Sequence, residues 1–337
     1  RPRVNQSTDS VRSFGVLGAG SWGTALGILL ARNGLDVRLW GLEQEIARLA
    51  ADRENRRYLP GIPFPDKLVP DADLARVIDS DEVLVVVPSH AFHEVLLKIA
   101  DSRQLRSLCW ATKGLDPHSR RPLSTDAEKI FPGADLAVIS GPTFAVEVAR
   151  GLPTAVTAAS TSESYSLRIA QALKGETFRA YTSTDIIGVQ IGGAVKNVMA
   201  IAAGISDGLG FGANARAALI TRGLAEITRL GITLGGHPET FVGLAGLGDL
   251  VLTCTDDQSR NRRRGLALPP FPPAECLGHE PQRLLVGEFL AQQRRRGVDL
   301  RDWPVGHGVD VGHDNVHAVF VLARRLRLHV DHGDRVI

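Results

Sequence analysis

The glycine-rich turn near the start of the chain constrains the fold more than any other stretch. Gly18, Gly20 and Gly23 form a G-x-G-x-x-G pattern that follows a short apolar run and precedes a helical pattern. In dinucleotide-binding folds the first glycine makes the turn, the second admits a pyrophosphate and the third lets the helix pack on the strand. The free N–H groups of the helix start then face the phosphates. The pattern predicts dinucleotide binding, and a purely structural turn is the alternative.

Short apolar runs alternate with helical patterns over the first half of the chain. Six runs are predicted as strands, at residues 14–17, 36–40, 82–87, 107–111, 136–139 and 155–159. Four helical patterns lie between them, at residues 22–33, 43–51, 91–100 and 164–173. This alternation indicates an α/β fold with a mostly parallel, doubly wound sheet of the Rossmann-like type.

The pattern changes near Thr184 to a helical spacing rich in Ala, Gly, Ile and Leu. It predicts a long buried helix over 192–209, a second helix over 213–230 and thus an all-helical C-terminal domain. The expected division is a disordered leader at 1–13, a dinucleotide-binding domain at 14–188 and a helical substrate domain at 189–337. Four prolines within 269–273 interrupt the last domain, and only 316–328 has a helical period beyond them.

Composition and charge argue against several classes of function. The formal net charge of +2 gives no overall attraction to nucleic acid. No apolar stretch reaches the roughly 20 residues of a membrane helix, and the polar first residues lack the apolar core of a secretory signal. Three cysteines far apart indicate no disulfide framework, and a reducing cytoplasm is the simplest location. His313 and His317 have no third ligand, so no metal is predicted.

The residues after the second predicted strand leave the choice between NAD and NADP open. An acidic residue about 20 positions after the glycine turn binds the ribose hydroxyls of NAD in this kind of fold. Arg38 stands at that spacing and could meet the 2′-phosphate of NADP. Glu43 could meet a ribose, or it could be a solvated carboxylate in the first turn of a helix.

Small or polar residues end three further predicted strands. One strand ends at Pro88 and Ser89. The next two candidates end with Lys113 and with the pair Gly141 and Thr143. Because the carboxyl ends of the strands line the cofactor crevice of a doubly wound sheet, these segments predict one shared cleft. Ordinary loop chemistry is the alternative for each segment taken singly.

Lys196 lies within an apolar helical pattern of Gly, Ala, Val, Ile and Met. Burial of an ammonium group is costly and depresses its pKa, so this lysine is predicted to be a proton donor or acceptor. The alternative is a lysine whose stem lies along the helix while its head reaches water. Asp249 follows a glycine-rich turn and could pair with Lys196, and Asn197 could hold a turn or a ligand.

Ser259, Arg260 and Asn261 supply a hydroxyl, a planar fork of donors and an amide. This combination suits a phosphate dianion, so it favours a small phosphorylated substrate. The three arginines at 262–264 are interpreted as a solvated basic run without a nucleic-acid function.

Seven motifs follow one another in order over residues 14–266. They are "GAGSWGTALG", "VPSHAF", "ATKGL", "ISGPTFAVEVARGLPTAV", "GGAVKNVMAIAAGISDGLGFGANARAALITRGLAEI", "GLAGLGDLVLTCT" and "SRNRRRG". Together they resemble the bacterial form of the NAD(P)-dependent glycerol-3-phosphate dehydrogenase family. The resemblance implies interconversion of sn-glycerol 3-phosphate and dihydroxyacetone phosphate with NAD or NADP, and supply of glycerol 3-phosphate for phospholipid synthesis. It is compatible with a homodimer.

The resemblance also implies roles for individual residues. The expected cofactor-binding residues are Gly18, Gly20, Ser21, Trp22, Gly23, Lys113, Ala145 and Arg260. The expected substrate-binding residues are Lys113, Gly141, Thr143, Lys196, Asp249, Ser259, Arg260 and Asn261. Lys196 matches the catalytic lysine of the family, and we expect Asp249 to orient it and Lys113 to assist electrostatically.

Two features depart from the family pattern. Leu42 stands where the family often has His or Arg, which weakens a preference for NADP. Residues 269–315 lack the family's Val-Val-Glu-Gly-like stretch, through divergence or through compensating reading-frame errors in the source sequence, so no cofactor contact is expected there. Two alternative functions stay open. One is a related 3-hydroxy acid dehydrogenase without the phosphate-binding group, and the other is a dinucleotide-binding protein that has lost catalysis.

Overall fold

The computed structural model describes residues 11–117 and 119–267. Several sequence-based predictions lie outside these described residues. They concern most of the leader at 1–13, the atypical segment 269–315, the helix at 316–328 and the pair His313 and His317.

An eight-stranded sheet in the order β3-β2-β1-β4-β5-β6-β7-β8 is built from the chain up to residue 183. Its strands are β1 Ser13–Leu17, β2 Asp36–Trp40, β3 Leu68–Pro70, β4 Glu82–Val85, β5 Ser107–Trp110, β6 Asp135–Ser140, β7 Thr154–Ser160 and β8 Phe178–Ser183. Neighbouring strands are parallel except for β6 and β7, which are antiparallel. The chain runs outward from β1 in both directions, so the predicted α/β, doubly wound fold is confirmed.

Helices pack on both faces of this sheet. They are α1 Ser21–Arg32, α2 Glu43–Asp52, α3 Leu74–Ile78, α4 Ser89–Ser102, α5 Leu123–Ile130, α6 Ala145–Arg150 and α7 Glu163–Leu173. Successive strand residues point to opposite faces, so Val16 and Leu17 are buried in two different apolar clusters. This alternation gives the sheet two buried faces and leaves its edges and strand ends for function.

Two strands were missed by the sequence-based prediction. β3 is only three residues long and ends at Pro70, and half of the residues of β8 at the sheet edge are exposed, so neither has a continuous apolar run. The first strand also begins earlier than expected, at Ser13. The backbone N–H groups of Arg12 and Ser13 donate to Asp81 at 2.8 and 3.0 Å, which fixes the chain before the predicted start of the domain.

From residue 186 onward the described chain contains helices and no strands. They are α8 Ile186–Gly208, α9 Gly212–Thr233, α10 Pro238–Val242, α11 Asp249–Thr255 and α12 Arg260–Leu266, with a π-helical turn at Leu244–Gly248. α8 is central, because it packs on α9, α11 and α12 and also on β6 and β7. It begins at Ile186, before the predicted domain boundary at 188, and the division into domains stays a prediction.

The expectation that no apolar segment reaches membrane-spanning length is wrong for α8. Its 23 residues are long and apolar enough to cross a membrane by length and composition. In the fold, however, 83% of its most apolar window is buried. Asp185 fixes its first turn by accepting from the backbone N–H of Gly188 at 2.7 Å and of His237 at 2.8 Å. A carboxylate at this position is a favourable cap for the start of a helix.

Candidate active site

The glycine turn has a backbone that only glycine fits at two of its three positions. Gly18 has φ of 123°, and a Cβ there would lie 2.5 Å from the carbonyl oxygen of Val86 after β4. A Cβ at Gly23 would lie 1.9 Å from the carbonyl oxygen of Gly18. These close approaches bring the first turn of α1 directly onto the ends of β1 and β4.

The start of α1 is open to an anion. Within the described residues, no atom lies within 4 Å of a Cβ built at Gly20, no side chain caps the helix and its first turn holds no acidic residue. Ser21 and Trp22 open the helix, and the buried indole N–H of Trp22 has no acceptor in the described chain. Unsatisfied N–H groups at a helix start attract phosphate, so these residues fit a dinucleotide.

Asn55 holds the glycine turn in place and was missed by the sequence analysis. Its buried side-chain Nδ2 donates to the carbonyl oxygen of Ala19 at 3.0 Å and to Oγ1 of Thr24 at 2.8 Å. Its Oδ1 accepts from the backbone N–H of Tyr58 at 3.3 Å. Asn55 lies in a loop 31 residues after Thr24, so no local spacing could have revealed this contact.

Replacement of Asn55 by alanine is expected to raise the dissociation constant of the dinucleotide by about tenfold, because a lost buried hydrogen bond costs about 1–3 kcal/mol. The change removes the amide donor from the Ala19 carbonyl oxygen and from Oγ1 of Thr24, and it leaves that carbonyl with only the 3.4 Å hydrogen bond from Thr24 among the described residues. Titration of the intrinsic fluorescence with NADH and NADPH measures the effect. Gln44→Ala on exposed α2 is the control, and equal affinities for both variants would contradict the role of Asn55.

The end of β2 does not present a free cation for the 2′-phosphate of NADP. Nη1 of Arg38 lies 3.2 Å from Oδ2 of Asp71, whose other oxygen lies 3.0 Å from Nη2 of Arg76. Leu42 is 71% exposed, and Glu43 beside it is also exposed. The involvement of Arg38 or Glu43 in cofactor choice stays a prediction.

Four predicted site residues meet where the sheet and the helical half join. Nζ of Lys113, after β5, donates to Oδ2 of Asp249 at 2.7 Å and to the carbonyl oxygen of Gly141 at 3.2 Å. Nζ of Lys196 in α8 donates to the other carboxylate oxygen, Oδ1. Asp249 is fully buried and Lys196 is 7% exposed. One carboxylate therefore holds two ammonium groups at the carboxyl edge of the sheet.

The chain brings Asp249 to this point through close backbone packing. A Cβ at Gly192 in α8 would lie 2.4 Å from the carbonyl oxygen of Ala245 in the π-helical turn. α11 begins at Asp249 itself, four residues later. Glycine at 192 thus lets the turn lie against α8, and the carboxylate reaches Lys196 in the next turn of that helix.

The pKa of Lys196 is lowered to about 7. Burial is the largest cause, because a low-dielectric surrounding disfavours the charged amine, and the positive charge of Lys113 acts in the same direction. The carboxylate of Asp249 opposes both effects. An amine with this pKa can both donate and accept a proton near neutral pH.

Thr253 is a further polar contact of Lys196 that the sequence analysis missed. Its Oγ1 accepts from Nζ of Lys196 at 3.1 Å and donates to the carbonyl oxygen of Asp249 at 2.6 Å. The signal was available, because Thr253 lies four residues after Asp249 and residues at that spacing share one face of a helix.

Further predicted contacts lie after the end of β6 and beside the middle of α8. Oγ1 of Thr143 donates to the carbonyl oxygen of Gly141 at 3.3 Å, and Ala145 opens α6. Nδ2 of Asn261 donates to Oδ1 of Asn197 at 2.8 Å, which places it beside the residue that follows Lys196. α12, which carries the phosphate-binding candidates, therefore contacts α8 close to Lys196.

Ser259, Arg260 and Asn261 stand at the start of α12. The buried hydroxyl of Ser259 accepts from the backbone N–H of Arg262 at 3.2 Å and so caps the helix, while Arg260 is exposed. The interpretation of 262–264 as a solvated run is wrong for Arg262. Its side chain is buried, and its Nη2 lies 2.7 Å from Oδ2 of Asp207.

Comparison with known proteins now bears on this geometry. Residues 13–166 match the family described as NAD-dependent glycerol-3-phosphate dehydrogenase N-terminus, and residues 185–275 match the corresponding C-terminus. The chain belongs to the NAD-dependent glycerol-3-phosphate dehydrogenase family. The family, the enzyme class and the nicotinamide cofactor predicted from the sequence are confirmed.

Individual relatives agree with the family assignment. A glycerol-3-phosphate dehydrogenase [NAD(P)+] of Thioalkalivibrio sulfidiphilus is 62% identical over 323 residues, which cover 92% of this chain and 96% of the relative. One from Pseudoalteromonas translucida is 60% identical over 295 residues, covering 85% and 88% of the two chains. The crystal structure of glycerol-3-phosphate dehydrogenase from Coxiella burnetii superposes with a TM-score of 0.76 at 43% identity, covering 94% of this chain and 90% of that one.

Proposed function

We propose that the chain interconverts sn-glycerol 3-phosphate and dihydroxyacetone phosphate with NAD or NADP, and that it supplies glycerol 3-phosphate for phospholipid synthesis. Membership of the glycerol-3-phosphate dehydrogenase family supports the reaction and a small phosphorylated substrate. The observation that carries the mechanism is the carboxylate of Asp249 bound by Lys113 and Lys196 at the sheet edge that also carries the glycine turn.

The buried lysine is the proton-transfer group in this proposal. When bound, the reduced nicotinamide supplies a hydride to the carbonyl carbon. The ammonium group of Lys196 donates its proton to the carbonyl oxygen, and in the reverse direction the neutral amine accepts the proton of the alcohol. Asp249 and Thr253 hold Nζ in place. Lys113 keeps a second positive charge near the oxygen that becomes negative during hydride transfer.

The phosphate of the substrate is assigned to Ser259, Arg260 and Asn261. A guanidinium group binds phosphate through two parallel hydrogen bonds, and the amide of Asn261 adds a further donor. Binding energy from this remote group orients the carbon that reacts. Gly141 and Thr143, at the end of β6, are the remaining proposed substrate contacts.

The cofactor is assigned to the carboxyl ends of β1 and β5. Gly18, Gly20 and Gly23 supply the turn, and Ser21 and Trp22 supply the open helix start. Lys113, Ala145 and Arg260 complete the proposed cofactor contacts. We further propose a cytoplasmic homodimer that does not insert into membranes. The burial of the apolar helix α8 within the fold supports the last point.

Loss of absorbance of NADH or NADPH with dihydroxyacetone phosphate tests the function directly. Turnover with this substrate and none with a 3-oxo acid favours the phosphorylated substrate. The reverse preference would identify a 3-hydroxy acid dehydrogenase. Dinucleotide binding without turnover of either substrate would identify a catalytically impaired binding protein.

The pH dependence of the same assay tests the assignment to Lys196. Reduction needs the protonated amine, so its rate should fall as pH rises above about 7, the lowered pKa of Lys196. Oxidation needs the neutral amine, so its rate should rise over the same range. With an ordinary lysine, both changes in rate would occur at a pH of about 10.4.

A further inference from the structure

α12 carries the proposed phosphate-binding residues but cannot keep its place unaided. It is seven residues long, and isolated helices of this length are not stable in water. Its position relative to Lys196 must therefore come from its contacts with the rest of the fold.

The backbones of α12 and α8 touch. A Cβ at Gly204 of α8 would lie 2.1 Å from the carbonyl oxygen of Arg262, and a Cβ at Gly265 of α12 would lie 2.2 Å from that of Ile201. Such contacts fix the separation of the two helices, whereas the position of α12 along α8 also depends on polar contact between their side chains.

A buried ion cluster supplies that polar contact at the far end of α8. Oδ2 of Asp207 accepts from Nε of Arg262 at 3.1 Å and from Nη2 at 2.7 Å. Oδ1 of Asp207 accepts from Nη1 of Arg216 in α9 at 2.8 Å. The side chains of Asp207 and Arg262 are each 9% exposed. A carboxylate in the last turn of a helix interacts unfavourably with the negative end of the helix dipole. The positive charges of the two arginines offset this cost.

The other end of the contact between α12 and α8 lies at the candidate active site. Asn261 donates to Asn197, which follows Lys196 in α8. Asn197 and Asp207 are ten residues apart in one helix, or about 15 Å at 1.5 Å per residue. Asp207 is therefore too far from the lysine cluster to touch the reacting groups, but Arg262 connects it to the helix that starts with Arg260 and Asn261.

The geometry points to Asp207 as a positioning residue for the substrate phosphate. Through Arg262 it locks α12 at one place along α8, and this sets the distance between Lys196 and the residues that hold the phosphate. The inference rests on the proposed function, because it assumes that Arg260 and Asn261 bind that group.

Asp207→Asn is expected to lower kcat/KM for dihydroxyacetone phosphate by about 10- to 10²-fold, the range for a small misplacement of a binding group. Turnover of unphosphorylated dihydroxyacetone cannot use the phosphate-binding residues, so its kcat/KM should change by less than about threefold. NADH affinity should fall less than kcat/KM, because Arg260 is the one proposed cofactor contact that α12 carries. Arg262→Lys, which keeps the charge but loses the pair of hydrogen bonds that converge on Oδ2 of Asp207, should act in the same direction. Arg263→Lys, at the exposed neighbouring position, is the matched control.

Several results would overturn the inference while leaving the proposed function intact. They are an equal loss of kcat/KM for both ketones, no loss for either, or failure of both variants to fold as judged by circular dichroism and NADH binding. Failure of the wild-type protein to reduce dihydroxyacetone phosphate would instead refute the proposed function, and this inference with it.

Discussion

Replacement of Lys196 by alanine is expected to lower kcat for reduction of dihydroxyacetone phosphate by about 10² or more, the usual loss when a proton-transfer group is removed. The buried amine of Lys196 is the proton donor assigned to the carbonyl oxygen of the substrate. Lys113 binds the other carboxylate oxygen of Asp249 and is not assigned the proton transfer. Dinucleotide affinity should be retained, because Lys196 makes no contact with the glycine turn.

Steady-state kinetics and NADH titration together measure this result. Lys98→Ala is the control, because Lys98 is an exposed lysine whose side chain pairs, within the described residues, with Glu94 of the same helix. Near-normal turnover of the Lys196 variant would remove the lysine from the mechanism. The remaining activity should also lose the change in rate near pH 7 that the wild-type amine produces.

Replacement of Asp249 by asparagine is expected to lower the free energy of unfolding by about 3 kcal/mol or more, the cost of removing one partner of a buried ion pair. The amide keeps the shape of the side chain but no longer neutralises Lys113 and Lys196.

Because Asp249 raises the pKa of Lys196, the amine of Lys196 in the Asp249→Asn variant should lose its proton at lower pH. The fall in reduction rate with rising pH should therefore begin below pH 7.

Urea unfolding without cofactor measures the loss of stability, and the pH profile of reduction measures the change at Lys196. Asp101→Asn, an exposed position on α4, is the control for both measurements. Unchanged stability together with an unchanged profile would mean that the carboxylate neither stabilises the cluster nor holds the proton donor.

The sequence was most informative where local pattern and chemistry coincide. The glycine turn, the run of strands and helices, and an amine in an apolar helix each follow from spacing or side-chain type. The pairing of Lys196 with Asp249 could be predicted because a buried charge needs a partner. Lys113 was placed at a strand end that lines the cleft, and the resemblance to the family joined it to the other two residues.

Residues that act through distant contacts could not be predicted in this way. Asn55 reaches the glycine turn from a loop, and Arg262 reaches Asp207 across 55 positions of sequence. Arg262 stands among three arginines, and only tertiary packing shows which of them is buried. β8 was missed for a related reason, since an exposed edge strand needs no apolar run.

The glycines of α8 bear on attempts to make this enzyme more heat-resistant. Exchange of helical glycine for alanine is a common thermostabilising step and gains up to about 1 kcal/mol per site where space allows. At Gly192 and Gly204 the added methyl carbon would lie 2.4 and 2.1 Å from carbonyl oxygens of the neighbouring backbone. An engineer would therefore leave these two sites untouched, and Gly208 as well, because its added carbon would lie 3.3 Å from the carbonyl oxygen of Leu266 in α12, closer than an ordinary van der Waals contact.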